Sequence, residues 1–360
     1  PQHPAMPQHL KRWVASQTVD HIALLLPLEG SLAGAGEAVL SGAIDQLYTL
    51  FPDPSSRPAL TTLNSAQPAG VRELYRQAVA DGADLIIGPL IKEDVALLGQ
   101  LAQRTVPVIA LNQTDPLARS LNRNWMSLSL APEDEARQIA DVAFGQACRH
   151  AIVVGMNSDR GARLLSSFTD RWTQHGGRIR GQLIVDNPAD TNTEMGRLLG
   201  SGSSDQRIRA VERAFDLPVD ARGRGRSDFE CIFMLAPDAA TARTWRPLLV
   251  FHMTGDVPVY ATSAINDGVA DTRNRDLNGV VFVETPAMLP PRVTDRLSRL
   301  RALGRDALTL AQHWQQTTET DQWVIRGQTG LLRRKKDGLV ERELALATFD
   351  GAQIRPVALP

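Results

Sequence analysis

The 360 residues predict an α/β protein built on open, doubly wound parallel sheets, and three observations carry that prediction. Short, continuous apolar runs alternate with segments of helical period. The alternating series restarts near residue 128. From about residue 326 the pattern changes to a period of two, which predicts an antiparallel β tail. Runs that are apolar throughout suit strands buried on both faces, and strand–helix alternation with short links gives right-handed crossovers.

The elements follow in order. Residues 1–18 are rich in Pro, Gln and His, with apolar periodicity limited to Leu10, Trp13 and Val14, so they read as a linker or the trimmed end of an upstream segment. Strand-like runs then occur at Ile22–Leu26, Leu85–Ile87, Val106–Ala110, Ile152–Val154, Leu183–Val185, Ile232–Leu235, Val257–Tyr260 and Val280–Val283. Between them, apolar residues spaced by three and four predict helices: Leu40, Ala43, Ile44 and Leu47; Val71, Leu74, Tyr75 and Ala78; Ala136, Ile139, Ala140, Ala143 and Phe144; Leu164, Leu165, Phe168 and Trp172. Residues 200–228, rich in Gly, Ser and Arg, predict a long exposed loop with one short helix around Ile208–Phe215. The tail is framed by the turn dipeptides Asp337-Gly338 and Asp350-Gly351, between which Val340, Leu344 and Leu346 alternate with charged or small residues.

Length alone implies two or three compact units. Lys plus Arg is 39 against Asp plus Glu 40, so the chain lacks the basic field that nucleic acid selects. The strongest apolar run, Ile22–Leu28, is far short of the roughly 20 residues of a membrane helix. Residues 1–10 show no basic stretch followed by an apolar one, so an export signal is expected to have been removed or to lie outside this chain. Cys148 and Cys231 are too few for a disulfide framework or a four-cysteine zinc site. They precede or open two neighbouring strands, which leaves two states open: a disulfide in an oxidising compartment, or a pair of buried free thiols, the latter preferred.

Catalytic signatures are missing. There is no GxxxxGK[ST], HExxH, GxSxG or CxxC. Gly30, Gly34, Gly36 and Gly42 follow the first strand but never give GxGxxG, and no acidic residue closes the second strand near Thr61–Leu63, so close helix packing explains them better than a dinucleotide. The seven histidines have no metal-like spacing, and individual surface or capping roles are expected. Asp134 and Glu135 open a helix, where carboxylates complement its dipole. The basic run Arg333, Arg334, Lys335 and Lys336 reads as a solvated hairpin tip. Arg222, Arg224 and Arg226, on the interior loop, are candidate partner-docking residues.

Several stretches carry a resemblance: HIALLLPLEGSLAGAGEAVLSGAIDQL (21–47), ADLIIGPLIKEDVALL (83–98), VPVIALNQT (106–114), SDFECIFMLAPDAATAR (227–243), DVPVYATSAIND (256–267), DLNGVVF (276–282), RLRALGRDALTL (299–310) and GQTGLL (327–332). Together they resemble type I periplasmic binding proteins and, more narrowly, the carboxy-terminal domain of the LppC family of outer-membrane lipoproteins, activators of penicillin-binding proteins. The chain departs from the family at Pro286-Ala287, where the family usually has Pro-Trp.

The resemblance implies two Rossmann-like lobes, each discontinuous: 19–127 with 255–325, and 128–254 with 326–360. It further implies a non-catalytic periplasmic regulator without cofactor or metal. Its partner would be a class A penicillin-binding protein, and a lipid anchor outside this chain would hold it to the outer membrane. The alternative is a solute-binding domain with a small ligand in a cleft. By resemblance that cleft would be lined by Pro27, Leu28, Gly88, Leu90, Asn112, Thr114, Ser158, Asp159, Arg160, Thr262, Ser263 and Glu284. Gly88-Pro89-Leu90 offers no hydroxyl, and Arg160 stands where amino-acid binders often place an aromatic, which weakens an amino acid as the ligand and leaves a different, anionic one near Arg160 open.

Overall fold

Every apolar run forms a strand. In chain order the elements are β1 (His21–Leu26), α1 (Ala33–Leu50), β2 (Ala59–Asn64), α2 (Val71–Ala80), β3 (Leu85–Ile87), α3 (Lys92–Gly99), β4 (Val108–Ala110) and β5 (Trp125–Ser127). There follow α4 (Pro132–Gly145), β6 (His150–Met156), α5 (Asp159–Gln174), β7 (Arg178–Val185), α6 (Thr191–Leu199), α7 (Ser201–Phe215), β8 (Cys231–Leu235), α8 (Ala239–Leu249), β9 (Val259–Ala261) and β10 (Val281–Glu284). The chain closes with α9 (Ser298–Gln312), β11 (Val324–Arg326), β12 (Leu331–Arg334), β13 (Val340–Glu343), β14 (Ala345–Asp350) and β15 (Gln353–Pro356). This computed structural model describes residues 19–68, 70–101, 104–113, 124–216, 225–314, 323–335 and 337–358, with backbone only at 202–207 and 253. The expected linker at 1–18 lies outside them.

The chain divides into two units, one from residues up to Ala131 plus Leu297–Glu343, the other from Pro132–Arg296 plus Leu344–Pro360. The first holds an all-parallel sheet in the order β2-β1-β3-β4-β5. Within β1, Ile22, Leu24 and Leu26 enter one core and Ala23 and Leu25 the opposite one, so the run is apolar throughout because both faces are covered. A separate antiparallel sheet, β11-β12-β13, joins this unit: Leu332 and Val340 enter the same core as Leu24, and the Ser127 amide donates to the Gly338 carbonyl at 2.9 Å.

The second unit holds a seven-stranded sheet, β15-β14-β10-β9-β8-β6-β7, parallel from β7 to β10 and antiparallel at β14 and β15. Ile152 and Val154 serve one core, Ala151 and Val153 the other.

Two expected boundaries are corrected. Residues 255–296 belong to the second unit, because β9 bonds to β8 and β10 to β9. Residues 326–343 belong to the first, because their sheet packs into the core of β1. The β tail is thus shared: β13 ends in one unit and the β14–β15 hairpin covers a sheet edge in the other. Where a long loop with a short helix was expected at 200–228, α7 starts directly after α6, the two joined through Gly200 at φ +71°.

Helices α1 and α9 meet at glycines. A Cβ on Gly42 would lie 1.9 Å from the Arg301 carbonyl oxygen, and one on Gly304 would lie 2.0 Å from that of Val39. Of the four glycines after β1, Gly36 and Gly42 are therefore packing residues, while a Cβ on Gly30 or Gly34 would meet nothing within 4 Å. Beside them, buried Asp306 accepts from the amides of Gln328 (2.6 Å) and Thr329 (2.7 Å) and from the Thr329 hydroxyl (2.6 Å), so the GQT segment wraps a single carboxylate.

Candidate functional site

Open parallel sheets place ligands beyond the carboxyl ends of their strands, so the loops there come first. In the first unit those loops spend their polar groups on one another. The Leu28 amide donates to Asn64 Oδ1 at 3.0 Å, and Asn112 Nδ2 donates to the Leu90 carbonyl at 3.0 Å. Gly88 is forced by contact: its φ is +107°, and a Cβ there would lie 2.2 Å from the Leu25 carbonyl oxygen. Pro27 presses its carbonyl against α1, where a Cβ on Gly36 would lie 2.0 Å away. Thr114 is outside the described residues.

In the second unit, Ser158 caps α5 by accepting the Gly161 amide at 3.0 Å, with Asp159 in the first turn and Arg160 exposed beside it. The other expected residues are buried. Ser263 donates to Glu135 through its amide and its hydroxyl, both at 2.9 Å, while Glu284, fully buried, accepts from Asn266 Nδ2 at 2.7 Å and from the Thr285 amide at 2.7 Å. Glu135 is therefore a receptor for the turn after β9 more than a dipole partner, which its place at a helix start concealed. Among the described residues, the buried hydroxyls of Thr262 and Thr285 have no hydrogen-bond partner. As a group these residues tie the ends of β9 and β10 to α4.

The amino-terminal edge of the same sheet carries charge and a covalent link. Cys148 and Cys231 form a disulfide with a Cα–Cα distance of 6.1 Å, correcting the preferred expectation of free thiols. Adjacent strands β6 and β8 bring them together, Ala151 facing Cys231 in register. Next to it, Glu230 accepts from the amides of Arg149 and His150, each at 2.7 Å, and from His150 Nδ1 at 3.0 Å; these bonds, the one from the His150 ring foremost, pull its carboxyl down to about 2.

The docking expectation is altered. Arg226 forks onto Asp228 (2.9 and 2.8 Å) and donates to the carbonyls of Leu198 and Arg180, so it pins a loop to the sheet edge. Arg222 and Arg224 lie outside the described residues. Two other expectations gain partners: Arg333 pairs with Glu343 at 3.0 Å and Lys335 with Glu341 at 2.9 Å across the β12–β13 hairpin. His252 is buried and clamps Ser201 Oγ (2.7 Å) and Asn192 Oδ1 (2.9 Å), a structural role the sequence did not signal.

Among the described residues no group of three or more His, Cys, Asp or Glu is placed to hold a metal. A cavity of about 360 Å³ opens in the second unit between Val269, Met288, Pro290, Arg292 and Ile354. None of the residues expected to line a cleft borders it.

A model of the LppC putative lipoprotein family matches residues 1–351. The penicillin-binding protein activator LpoA of Photobacterium profundum is 26% identical over 381 residues, covering 99% of this chain and 61% of that protein. The activator of the same name from Aliivibrio fischeri is 25% identical, covering 96% and 60%. The chain thus spans about three fifths of the length of these relatives. In fold it is similar to the LpoA C-domain from Haemophilus influenzae, a regulator of PBP1A (TM-score 0.74, 22% identity, 94% of this chain and 100% of that one). A putative branched-chain amino acid ABC transporter protein of Chromobacterium violaceum is also similar (TM-score 0.67, 25% identity, 91% and 99%). The expected α/β architecture of the periplasmic-binding type is therefore the one the chain adopts.

Proposed function

The chain belongs to the LppC lipoprotein family, and from that premise we propose that it is a non-catalytic regulator which binds a class A penicillin-binding protein in the periplasm and stimulates its transpeptidase. The observation that carries this reading is the extent of the match: the family model runs over residues 1–351, and the relatives that share nearly the whole chain are named as activators. A disulfide between Cys148 and Cys231 supports an oxidising compartment such as the periplasm. Attachment to the outer membrane through a lipid is part of the same reading and follows from the family. So does the absence of chemistry of its own: the carboxylates and hydroxyls at the strand ends serve to join elements, which suits a surface that works by contact.

The solute-binding alternative draws on neighbours with that role. Its expected residues Thr262, Ser263 and Glu284 are buried in this chain, and the latter two are engaged by Glu135 and Asn266, which weighs against them as ligand groups.

The test is reconstitution. A purified class A synthase, given lipid-linked precursor with and without this chain, should cross-link several-fold faster with it, at the same precursor concentration. An unaltered rate at saturating chain would overturn the proposal.

A further inference from the structure

The cavity of the second unit is walled by three stretches that lie apart in the sequence: 266–274 after β9, 288–294 after β10, and 352–354 at the start of β15. Bonds between those stretches fix its shape. Thr294 Oγ1 donates to the Gly268 carbonyl at 2.8 Å, and Asn274 Nδ2 donates to the Ala352 carbonyl at 3.1 Å. Arg243 in turn donates to Asn274 Oδ1 at 2.7 Å. A volume of about 360 Å³ lies within the range of small-ligand sites, and at about 30 Å³ per water it has room for roughly a dozen water-sized groups.

The chemistry of the walls is one-sided. Val269, Ala270, Met288, Pro290, Val293 and Ile354 supply apolar surface, and Val269 and Val293 show theirs to water, 47% and 102% exposed. The buried amides are spent on the fold: Asn274 as above, and Asn266 through Nδ2 on Glu284 at 2.7 Å and through Oδ1 on the Gly268 amide at 3.1 Å. Among the described residues, Arg292 is the one charged residue along the walls. Its Nη1 donates to the Pro286 carbonyl at 3.3 Å, and no carboxylate among the described residues pairs with it. Asp267 and Asp271, which lie in the first stretch, turn to Arg243 and Arg273 instead and do not border the cavity.

We propose that this cavity binds a small acid, with an apolar body of roughly a dozen non-hydrogen atoms and one carboxylate held by the Arg292 guanidinium. An amine would meet a like charge there, and a neutral ligand would forgo the pair, so charge complementarity selects the acid. None of the residues expected to line a cleft takes part, so the site is separate from that one and its failure would leave the activator reading intact.

The experiment titrates the full chain, carrying isotope-labelled methionine methyls, with phenylbutyrate at neutral pH and follows the methyl signals by NMR. Among the described residues Met288 is the methionine that borders the cavity, where it is almost fully buried, so its signal reports occupancy; Met288→Leu assigns it. The acid should shift that signal saturably, with a dissociation constant in the millimolar range or tighter. The neutral phenylbutyramide should bind about three- to fivefold more weakly, and Arg292→Gln should weaken the acid by the same factor without affecting the amide, the modest size reflecting the exposure of Arg292. Ala270→Trp, at an exposed wall position, should abolish binding of both with the melting temperature unchanged. Equal affinity of the wild type for acid and amide would overturn the proposal whether or not the variants fold, as would Arg292→Gln binding the acid like wild type. A Met288 signal unmoved at about 10 mM acid would overturn the site itself, even if other methionines shift. A Met288 signal that moves with protein concentration before any acid is added would give the cavity to a second copy of the chain and overturn the proposal as well.

Discussion

Single carboxylates do different work in this molecule according to what surrounds them. Glu230 is half exposed, yet three donors from Arg149 and His150 hold its carboxyl at about 2 instead of the usual 4.5. A depressed folded-state value means that its contribution to stability is present above about pH 4.5 and is lost as pH falls toward 2. Glu230→Gln should therefore destabilise the fold slightly at pH 7, by less than about 1 kcal/mol because solvent screens the site. The gap to wild type should close between pH 4.5 and 2 in a pH series of thermal melts; a gap constant across that range would refute the assignment. Asp306 is the contrasting case, pushed up by burial and held by Gln328 and Thr329. At this scale the sequence was least legible. Glu135 looked like a helix-start carboxylate because its partner, Ser263, lies 128 residues away. Arg226 looked like a free loop cation because nothing local marks the carbonyls of Leu198 and Arg180 as its acceptors.

Elements were far easier to read, for a physical reason: strands buried on both faces must be apolar throughout, and that signal is local. The runs at 22–26, 85–87, 152–154 and 232–235 all became strands. The helix expected at 208–215 is present, but the misreading of 200–207 came from composition, since Gly and Ser suggested a loop while the helix starts at Ser201 and is tethered there by His252. The α1–α9 contact shows how one element's position depends on the lack of a side chain on another. Gly304→Ala would gain about 1 kcal/mol of helix propensity in isolation. Here its Cβ would sit 2.0 Å from the Val39 carbonyl oxygen, so the helices must part. A net loss on the order of 2 kcal/mol is expected in denaturant unfolding, and a variant as stable as wild type would show that the contact yields freely.

The two units assemble from separated stretches, and boundaries of that kind are set by strand pairing between distant segments, which periodicity cannot reveal. That is why 255–296 was assigned to the wrong unit while its strands were found. The disulfide is a covalent version of the same long-range order. It closes a sequence separation of 83 residues, for which chain entropy gives a stabilisation on the order of 4–5 kcal/mol. Cys148→Ala with Cys231→Ala, or reduction of the wild type, should lower the unfolding temperature of the second unit in calorimetry. Two transitions that fall together by equal amounts would mean that the units do not unfold independently.

Because the tail is shared, the order of synthesis matters to this chain. The first unit lacks its last strand until residue 343 has been made, and the second lacks the hairpin at its sheet edge until Pro356. Each unit is therefore completed only by segments near the end of its share of the chain, β12–β13 in the first and β14–β15 in the second. On the periplasmic reading proposed above, such late completion would defer folding until after export, to a compartment where an oxidant for Cys148 and Cys231 is at hand.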